Sequence, residues 1–561
     1  MAFRCTQCNG SMVFDIASQQ MKCQHCGSTC APQDFRFRDA AVSALSEDSA
    51  QACPHCSAPL SEEDWTLKAC PYCGGTLPER GALPEQRTAD ALAVFLCQNC
   101  GAELEATEDS LIGLCPYCGA QSMVRDTTRE GSAVERIIPF KITRERCGEL
   151  YADFTKKVRY LPRDFRDAQH LQSFTGIYMP YYEYDADFGQ AALTGTKTAE
   201  QHVRYDVVNT YSLPLELEGA YLRGAPFDGS KYLDDEISRR AMPFDTTQEV
   251  VFHPAYLSGF YADASTVPPE LYEEDARKQA EQDVMGEAEA KVSEAHGIKL
   301  ESSSTLETTV TDHHSVLFPL WFLTWRKGDR VAYAVINGVS GKVVSDLPLD
   351  LRAFWLGCGK LALVIFLLLE LLFQPTPQLT SCVSLGAALC MGAGIVHSTK
   401  TAYEKQMHVH DKGWTGGSPP PEPQKQEPKK GGWKLRGCLI IAGITALFLL
   451  IPAIMVLRQD SSAAPYLAVI TPVYTIFAAY RVFSWQKHLQ EKDGGAAILL
   501  LLVTVVLNVA ILLISPVSDL WYYAGDALCI AGLVLSSFGM LRMYNVGTTR
   551  PLPRLFDRGE V

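Results

Sequence analysis

The 561-residue sequence contains no Gly-x-x-x-x-Gly-Lys-Ser/Thr run, no constellation that reads as an activated nucleophile, and no basic surplus: 50 Lys plus Arg face 64 Asp plus Glu, a formal charge of −14. The first absence excludes P-loop nucleotide chemistry. The second leaves covalent catalysis without an attacking group. The third counts against binding a phosphate backbone, which depends on Lys and Arg displacing counterions. The N-terminus, MAFRCTQCNG, lacks a basic head followed by an apolar run, so no cleaved signal peptide is expected. The cysteines are therefore expected in a reducing cytoplasm.

Twelve of the 19 cysteines stand in six Cys-x-x-Cys knuckles within the first 118 residues. Cys5, Cys8, Cys23 and Cys26 make one quartet, Cys53, Cys56, Cys70 and Cys73 a second, and Cys97, Cys100, Cys115 and Cys118 a third. Zinc takes four soft ligands at tetrahedral angles, and two knuckles about 14 residues apart supply them when a hairpin folds one onto the other. Disulfides and an iron–sulfur cluster are the competing readings, but paired two-residue spacings suit zinc. Gly27, Gly74, Gly101 and Gly119 follow knuckle cysteines, where a tight turn favours positive φ. Sites closed by four thiolates keep no open position for catalysis, so three structural zinc ions are expected. His25 and His55 lie inside knuckles and read as exposed spacers.

Zinc ribbons commonly read nucleic acid, and charge tests that role. Residues 1–130 carry nine Lys plus Arg against 17 Asp plus Glu, a balance of −8. Three four-thiolate zinc centres would take it to about −14, a surface that repels phosphate. Arg36 and Arg38 form too small a basic patch to reverse this. Protein partners fit better.

Residues 133–348 are long enough for a core of their own and read as a cytoplasmic α+β domain. Gly176-Ile-Tyr-Met-Pro-Tyr-Tyr-Glu-Tyr-Asp185 and Val316-Leu-Phe-Pro-Leu-Trp-Phe-Leu-Thr-Trp325 look alike, each with a proline at an expected strand entry and an aromatic run behind it. An internal duplication would explain both. Asn337-Gly-Val-Ser-Gly-Lys342 reads as a hairpin turn between strands. From Pro268 and Pro269 to Ala295, a thin seam of Leu271, Ala276, Ala280, Val284, Ala288 and Val292 predicts an amphipathic helix. Asp312-His313-His314 reads as a loop or edge, because neighbouring histidines on a strand face opposite ways and cannot share a metal. Asp234 and Asp235 read as a helix start.

Apolar content, 47% of all residues, concentrates after residue 350. Six runs of about 20 residues, near 354–373, 379–397, 437–457, 465–484, 496–516 and 520–541, each suffice to cross a bilayer as a helix. Lys and Arg gather in the 400–436 loop, after the fourth span and after the sixth, which places both termini in the cytoplasm. The Pro, Gly, Lys and Gln-rich stretch 413–432 reads as disordered and in reach of anionic lipid heads. Lys360 and Glu370 lie toward opposite ends of the first span and can snorkel. Asn508 and Asp526 fall at matching depths in the fifth and sixth spans and are expected to hydrogen-bond between them.

Gly176-x-Tyr-x-Pro-Tyr-Tyr-x-Tyr-Asp185, Tyr256-Leu-Ser-Gly-Phe260, Phe318-Pro-Leu-Trp321 and Ile336-Asn-Gly-Val-Ser-Gly-Lys-Val343 carry a resemblance. Over about residues 95–400 the chain resembles bacterial membrane proteins of the transcription-factor-IIB-type zinc-ribbon family, some of which carry a primosomal replication-restart helicase label. The resemblance implies an anchoring or recruiting role beside phage-shock-like or flotillin-like membrane proteins. Two extra ribbons and four extra spans depart from that family, and the helicase label finds no nucleotide-binding loop.

The expected architecture is multidomain: three small β zinc ribbons at 1–30, 50–78 and 93–122, the α+β domain at 133–348, and an all-α membrane region of about six helices. That region divides into a two-span hairpin at 352–398, a basic cytoplasmic linker at 399–436, four spans at 437–542 and a cytoplasmic tail at 543–561. The expected function is a non-enzymatic multi-pass scaffold in the inner membrane that recruits protein partners in membrane stress. A transporter or channel governed by the zinc domain is the alternative, followed by a membrane-tethered nucleic-acid regulator.

Overall fold

The computed structural model describes residues 5–8, 10–35, 93–97, 102–106, 115–118, 123–126, 134–166, 174–201, 206–213, 221–301, 304–327, 330–372, 376–415, 464–489 and 491–551. Cys53, Cys56, Cys70, Cys73 and Cys100, with His55, Arg36, Arg38, Gly74, Gly101, Gly119 and the expected span 437–457, lie outside the described residues.

In the first cysteine segment β1 (Met12–Asp15), β2 (Gln20–Cys23) and β3 (Thr29–Cys30) form a three-stranded antiparallel sheet. Period-two alternation buries Met12, Phe14, Met21 and Cys23 on one face. That face does not close on itself. It packs on Tyr256 and Phe260, with the Phe14 ring 5.2 Å from Tyr256, and shares an apolar core with Phe140 and Trp321.

The other described strands join one fourteen-stranded sheet. They are β4 (Ala93–Cys97), β5 (Glu103–Ala106), β6 (Met123–Asp126), β7 (Arg136–Ile137), β8 (Thr175–Gln201), β9 (Asp206–Leu213), β10 (Tyr221–Asp228), β11 (Val250–Val251), β12 (Tyr261–Asp263), β13 (Lys299–Leu300), β14 (Thr305–Lys327), β15 (Arg330–Asn337), β16 (Val343–Ser345) and β17 (Arg550–Pro551). Its spine runs β11-β7-β14-β8-β12-β5-β4-β6, so the third cysteine segment extends the central sheet as three more strands.

The two look-alike segments are the central pair, β8 and β14, antiparallel from Thr305 opposite Ala192 to Phe322 opposite Thr175. Their prolines lie inside the strands and not at strand entries, which corrects the sequence expectation. Each proline sits where the flanking partner changes. Beside β8 the β12 ladder covers Ile177 and Tyr178 and the β10 ladder begins at Tyr181, leaving Pro180 between them. Beside β14 the β7 ladder ends at Leu317 and the β15 ladder begins at Leu320, leaving Pro319. A handover needs no ladder donor, so a residue without an N–H fits there. Each proline carbonyl still accepts from a glycine, Gly229 N–H at 2.7 Å and Gly338 N–H at 2.9 Å. The same device at both prolines agrees with a duplication.

Asp312, His313 and His314 lie within β14, where among the described residues β8 alone pairs with them, so of the two expectations the edge holds and the loop does not. The hairpin turn between β15 and β16 forms as its sequence implies, with Asn337 Oδ1 accepting from the backbone of Val339 and Ser340 at 2.9 Å each. Helix α1 (Arg144–Lys157) starts at a Thr143 cap, and α2 (Asp235–Ala241) starts at Asp234, whose carboxylate accepts from the N–H groups of Glu236 and Ile237. The alanine seam makes α3 (Glu273–His296), burying Ala276, Ala280 and Ala288 before Gly297 ends it.

Among the described residues six further helices follow: α4 (Leu351–Leu372), α5 (Pro377–Gln406), α6 (Lys412–Thr415), α7 (Ala464–Gln486), α8 (Asp493–Ile514) and α9 (Asp519–Thr548). Among the described residues five of them, all but α6, are long and apolar enough to cross a membrane. Helices α5, α7, α8 and α9 share one apolar core, so the second of these long apolar helices packs with the later ones. Small residues permit close approach between α8 and α9: a Cβ at Gly539 would meet Ala497 Cβ at 2.7 Å. Residues 399–415 are largely helical and not linker: α5 runs on to Gln406, and Ala402 and Tyr403 are buried.

The sheet domain and the helices are joined by specific contacts. Arg330 donates from Nε to Thr549 Oγ1 at 2.7 Å and from Nη2 to the carbonyls of Val546 and Thr549 at 2.8 and 2.9 Å, covering the C-terminal end of α9. Asn545 exchanges two hydrogen bonds with the Leu349 backbone, at 2.8 and 3.0 Å. Asp346 pairs with Lys405 of α5 and with Arg240 of α2. Beyond α9 the chain returns to the sheet, where β17 pairs with β15, so Arg550 and Pro551 are not free tail.

Candidate metal centres

The first quartet closes as its spacing implies. One sulfur each from Cys5, Cys8, Cys23 and Cys26 lies within 4.8 Å of every other, with Cys5 Sγ 3.6 Å from Cys26 Sγ and Cys8 Sγ 3.4 Å from Cys23 Sγ. Cys5 and Cys8 sit in the turn before β1, Cys23 ends β2, and Cys26 lies in the turn after it. Gly27 carries φ of 75°, the left-handed turn expected of a residue behind a knuckle. His25 is exposed and outside the cluster, a spacer as expected.

Four sulfurs this close cannot all ionise without a cation to share them. Hydrogen bonding by Ser28 Oγ and the backbone of Cys8 and Gln7 pulls the Cys5 thiol down to about 6. At Cys8 a backbone hydrogen bond at Gly10 acts in the same sense, yet Cys26 and Cys23 push the thiol up to about 12. A divalent metal removes this conflict by binding thiolates outright. The donor set is sulfur only and saturates a tetrahedral ion, so an ion held there would organise the fold and leave no position for substrate.

In the third segment Cys97, Cys115 and Cys118 converge and are all buried, with Cys97 Sγ 3.6 Å from Cys118 Sγ. This cluster also merges with the domain core: Leu104, Tyr117 and the three cysteines pack with Ile177, Met179 and Phe322. Tyr117 donates to Asp263 Oδ2 at 2.6 Å, and Tyr333 donates to the Tyr117 carbonyl at 2.6 Å. Burial, and then the neighbouring Asp263 carboxylate, raise the Tyr117 phenol well above its ordinary range, so it remains a donor.

The first segment is attached as firmly. Ser258 Oγ donates to the Met12 carbonyl at 2.7 Å, Phe14 N–H reaches the Ser258 carbonyl at 3.3 Å, and Gln19 Nε2 donates to the Phe140 carbonyl at 2.7 Å. Gly259, at φ of 91°, lets this surface close, since a Cβ there would meet Val13 at 2.8 Å. Both cysteine clusters are thus parts of the sheet domain and not modules strung before it. Cysteine spacing reveals the ligands but carries no signal for this docking.

The two histidines of β14 diverge as strand geometry requires. His314 bridges Glu135 and Asp185, at 2.9 and 3.0 Å, while His313 lies against the rings of Tyr182 and Tyr184. A cavity of about 560 Å³ opens beside them, with Glu135, Tyr182, Ser265 and His313 on its wall. In the helices Asp526 accepts from Thr380 Oγ1 of α5, from Ser384 Oγ of α5 at 3.1 Å and from Asn508 Nδ2 of α8 at 3.4 Å. Asn508 and Asp526 therefore join two helices as expected, and α5 makes a third. Lys360 of α4 is exposed.

Comparison with known proteins adds little beyond the geometry. No protein-family model matches the chain, and no solved structure matches it. A curated relative, "Uncharacterized protein YdjG" of Bacillus subtilis (strain 168), is 23% identical over 222 residues, 39% of this chain. The match spans 64% of that relative's length.

Proposed function

We propose that this chain is a membrane-anchored scaffold, non-enzymatic, whose zinc-bound cysteine centres and sheet domain hold a protein partner at the cytoplasmic face of the inner membrane. The carrying observation is β9. Among the described residues it pairs only with β8, its other edge has no strand partner among them, and it exposes Val207, Val208 and Tyr211, at 38, 49 and 38%. An apolar unpaired edge is a template for an added strand, with main-chain hydrogen bonds giving affinity and alternate side chains giving selectivity. The contacts joining the sheet to the helices support anchoring, because a partner bound at β9 is then held at a fixed place relative to the bilayer.

Zinc suits the all-sulfur donor sets, and three ions per chain follow if the second quartet, and Cys100 in the third, complete theirs. Kinship with the transcription-factor-IIB-type zinc-ribbon proteins, and with their phage-shock-like or flotillin-like neighbours, belongs to this same proposal. The full-length protein is to be purified in mild detergent from its own host, as wild type and as Val208→Lys with Tyr211→Lys. Wild type retains a specific protein that the variant loses at least tenfold. Identical co-purifying sets, or none, overturn the recruiting role.

A transporter is the second reading, favoured by the buried carboxylate of Asp526, since ionisable groups inside membranes commonly mark ion paths. Hydroxyl and amide donors from α5 and α8 already satisfy that carboxylate, which suits helix association. Ion or solute flux in proteoliposomes that Asp526→Asn abolishes would establish transport; an unchanged flux blank would dismiss it.

A further inference from the structure

A third metal-ligand cluster, free of cysteine, lies where the sheet domain meets the membrane helices. Asp234 caps α2 on the sheet side, while His408 and Asp411 lie in the turn after α5 on the membrane side. One ligand atom from each lies within 4.8 Å of the other two. Asp234 and Asp411 are buried, at 7 and 3% exposure. A cavity of about 50 Å³ opens on the cluster, with Glu236, Thr401, Glu404, His410 and Lys405, the last paired with Asp346, also on its wall. That space exceeds what one water molecule needs.

The ligand atoms are aimed and held. Asp411 Oδ1 accepts from the Trp414 N–H at 2.9 Å, and Oδ2 lies 3.4 Å from His408 Nδ1. Despite that distance the buried Nδ1 makes no hydrogen bond. The two atoms are therefore close without bonding to each other, as two donors to a third atom are. The His408 ring is fixed by stacking on Trp414, centroids 4.4 Å apart and 19° from parallel. Asp234 Oδ1 accepts from Glu236 and Ile237 N–H, and Oδ2 meets Arg550 Nη2 at 2.7 Å. A carboxylate offers about four lone-pair positions, so Asp234 can hold Arg550 and an ion together. Such supporting contacts are what orient metal ligands.

We infer that Asp234, His408 and Asp411 form a binding site for a divalent transition cation that ties the sheet domain to the second membrane helix. One imidazole nitrogen and two carboxylate oxygens suit ions such as Mn²⁺ or Zn²⁺, a choice distinct from the sulfur quartets. The wall acids Glu236 and Glu404 leave room for completing waters or a further carboxylate. Because the ligands come from both sides of the junction, occupancy changes how rigidly the domain is attached.

The test uses full-length protein in detergent with its cysteine centres zinc-loaded. Mn²⁺ is titrated and counted by loss of the free-ion electron paramagnetic resonance signal, and Zn²⁺ by elemental analysis. Wild type is expected to bind one additional ion per chain and to gain thermal stability from it. His408→Gln and Asp411→Asn are expected to weaken that binding at least tenfold and to lose the metal-dependent shift, with ion-free melting within a few degrees of wild type. Equal binding by wild type and both variants, or no Mn²⁺ or Zn²⁺ beyond the cysteine centres, overturns the site. Should Asp411→Asn melt early, His408→Gln alone decides between these outcomes.

Discussion

Replacing Phe14 by Ala tests whether the first cysteine segment is part of the sheet domain. The ring is 3% exposed, and it lies 5.2 Å from Tyr256 and 6.5 Å from Phe260, both edge-on. Its removal leaves a cavity between two pieces of structure that Met12, Met21 and a few hydrogen bonds, including Ser258 Oγ to Met12 and Gln19 Nε2 to Phe140, also hold together. Large-to-small changes of this kind cost about 3–5 kcal/mol. Here the cost falls on docking, because the four cysteines of the segment remain able to fold it. At about 1.4 kcal/mol per factor of ten, the undocked population should rise by roughly 10²- to 4 × 10³-fold. Hydrogen exchange in the full-length protein reads this directly: amides of 10–16 and 254–262 should exchange faster by about that factor, with β4, β5 and β6 unchanged. Wild-type exchange at both segments would refute the shared core.

Three further outcomes follow from the junction and the helices. Arg330→Met removes the donors that cover the end of α9, leaving the Val546 and Thr549 carbonyls without them; a loss of about 2 kcal/mol or more should appear as faster exchange at 545–551. Although burial works to raise it, the Lys405 ammonium and Arg240 guanidinium hold the Asp346 carboxyl below its ordinary range. Its contribution to stability is therefore full above the usual carboxylate pKa and fades as pH falls through the lowered one, and Asp346→Asn should flatten the acid limb of a melting-temperature profile. In α9 a Cβ at Gly532 would meet Thr504 Cγ2 at 2.1 Å, so Gly532→Ala should cost about 1–3 kcal/mol and lower the melting temperature in detergent.

Local signals were legible in the sequence and distant ones were not. Cysteine spacing identified the Cys5, Cys8, Cys23 and Cys26 cluster because a knuckle's geometry is set within four residues. The Asn337 turn, the alanine seam of α3 and five apolar runs likewise carry their own period or turn chemistry. Asn508 and Asp526 were paired by counting helical rise, which needs only the direction of each span. Pro180 and Pro319 misled because a proline's place in a sheet depends on which neighbours hand over beside it, a fact of topology. The return of Arg550 to β15 is such a fact, with 219 residues separating Arg330 from the Thr549 it holds. His408 and Asp411 fell inside a stretch read as basic linker, where the charge of neighbouring lysines masked a His-x-His-Asp run. Their partner Asp234 lies far away in sequence, so only the fold brings the three together.

The function proposed above requires the closed sulfur centres to hold metal ions that organise the sheet domain. Zinc-edge X-ray absorption on the full-length His408→Gln protein tests it most directly, because the junction cluster then contributes least. Zinc surrounded by four sulfurs at about 2.3 Å, with no lighter shell, is the expected result. Iron in place of zinc, or a mixed shell with nitrogen or oxygen ligands, would contradict it.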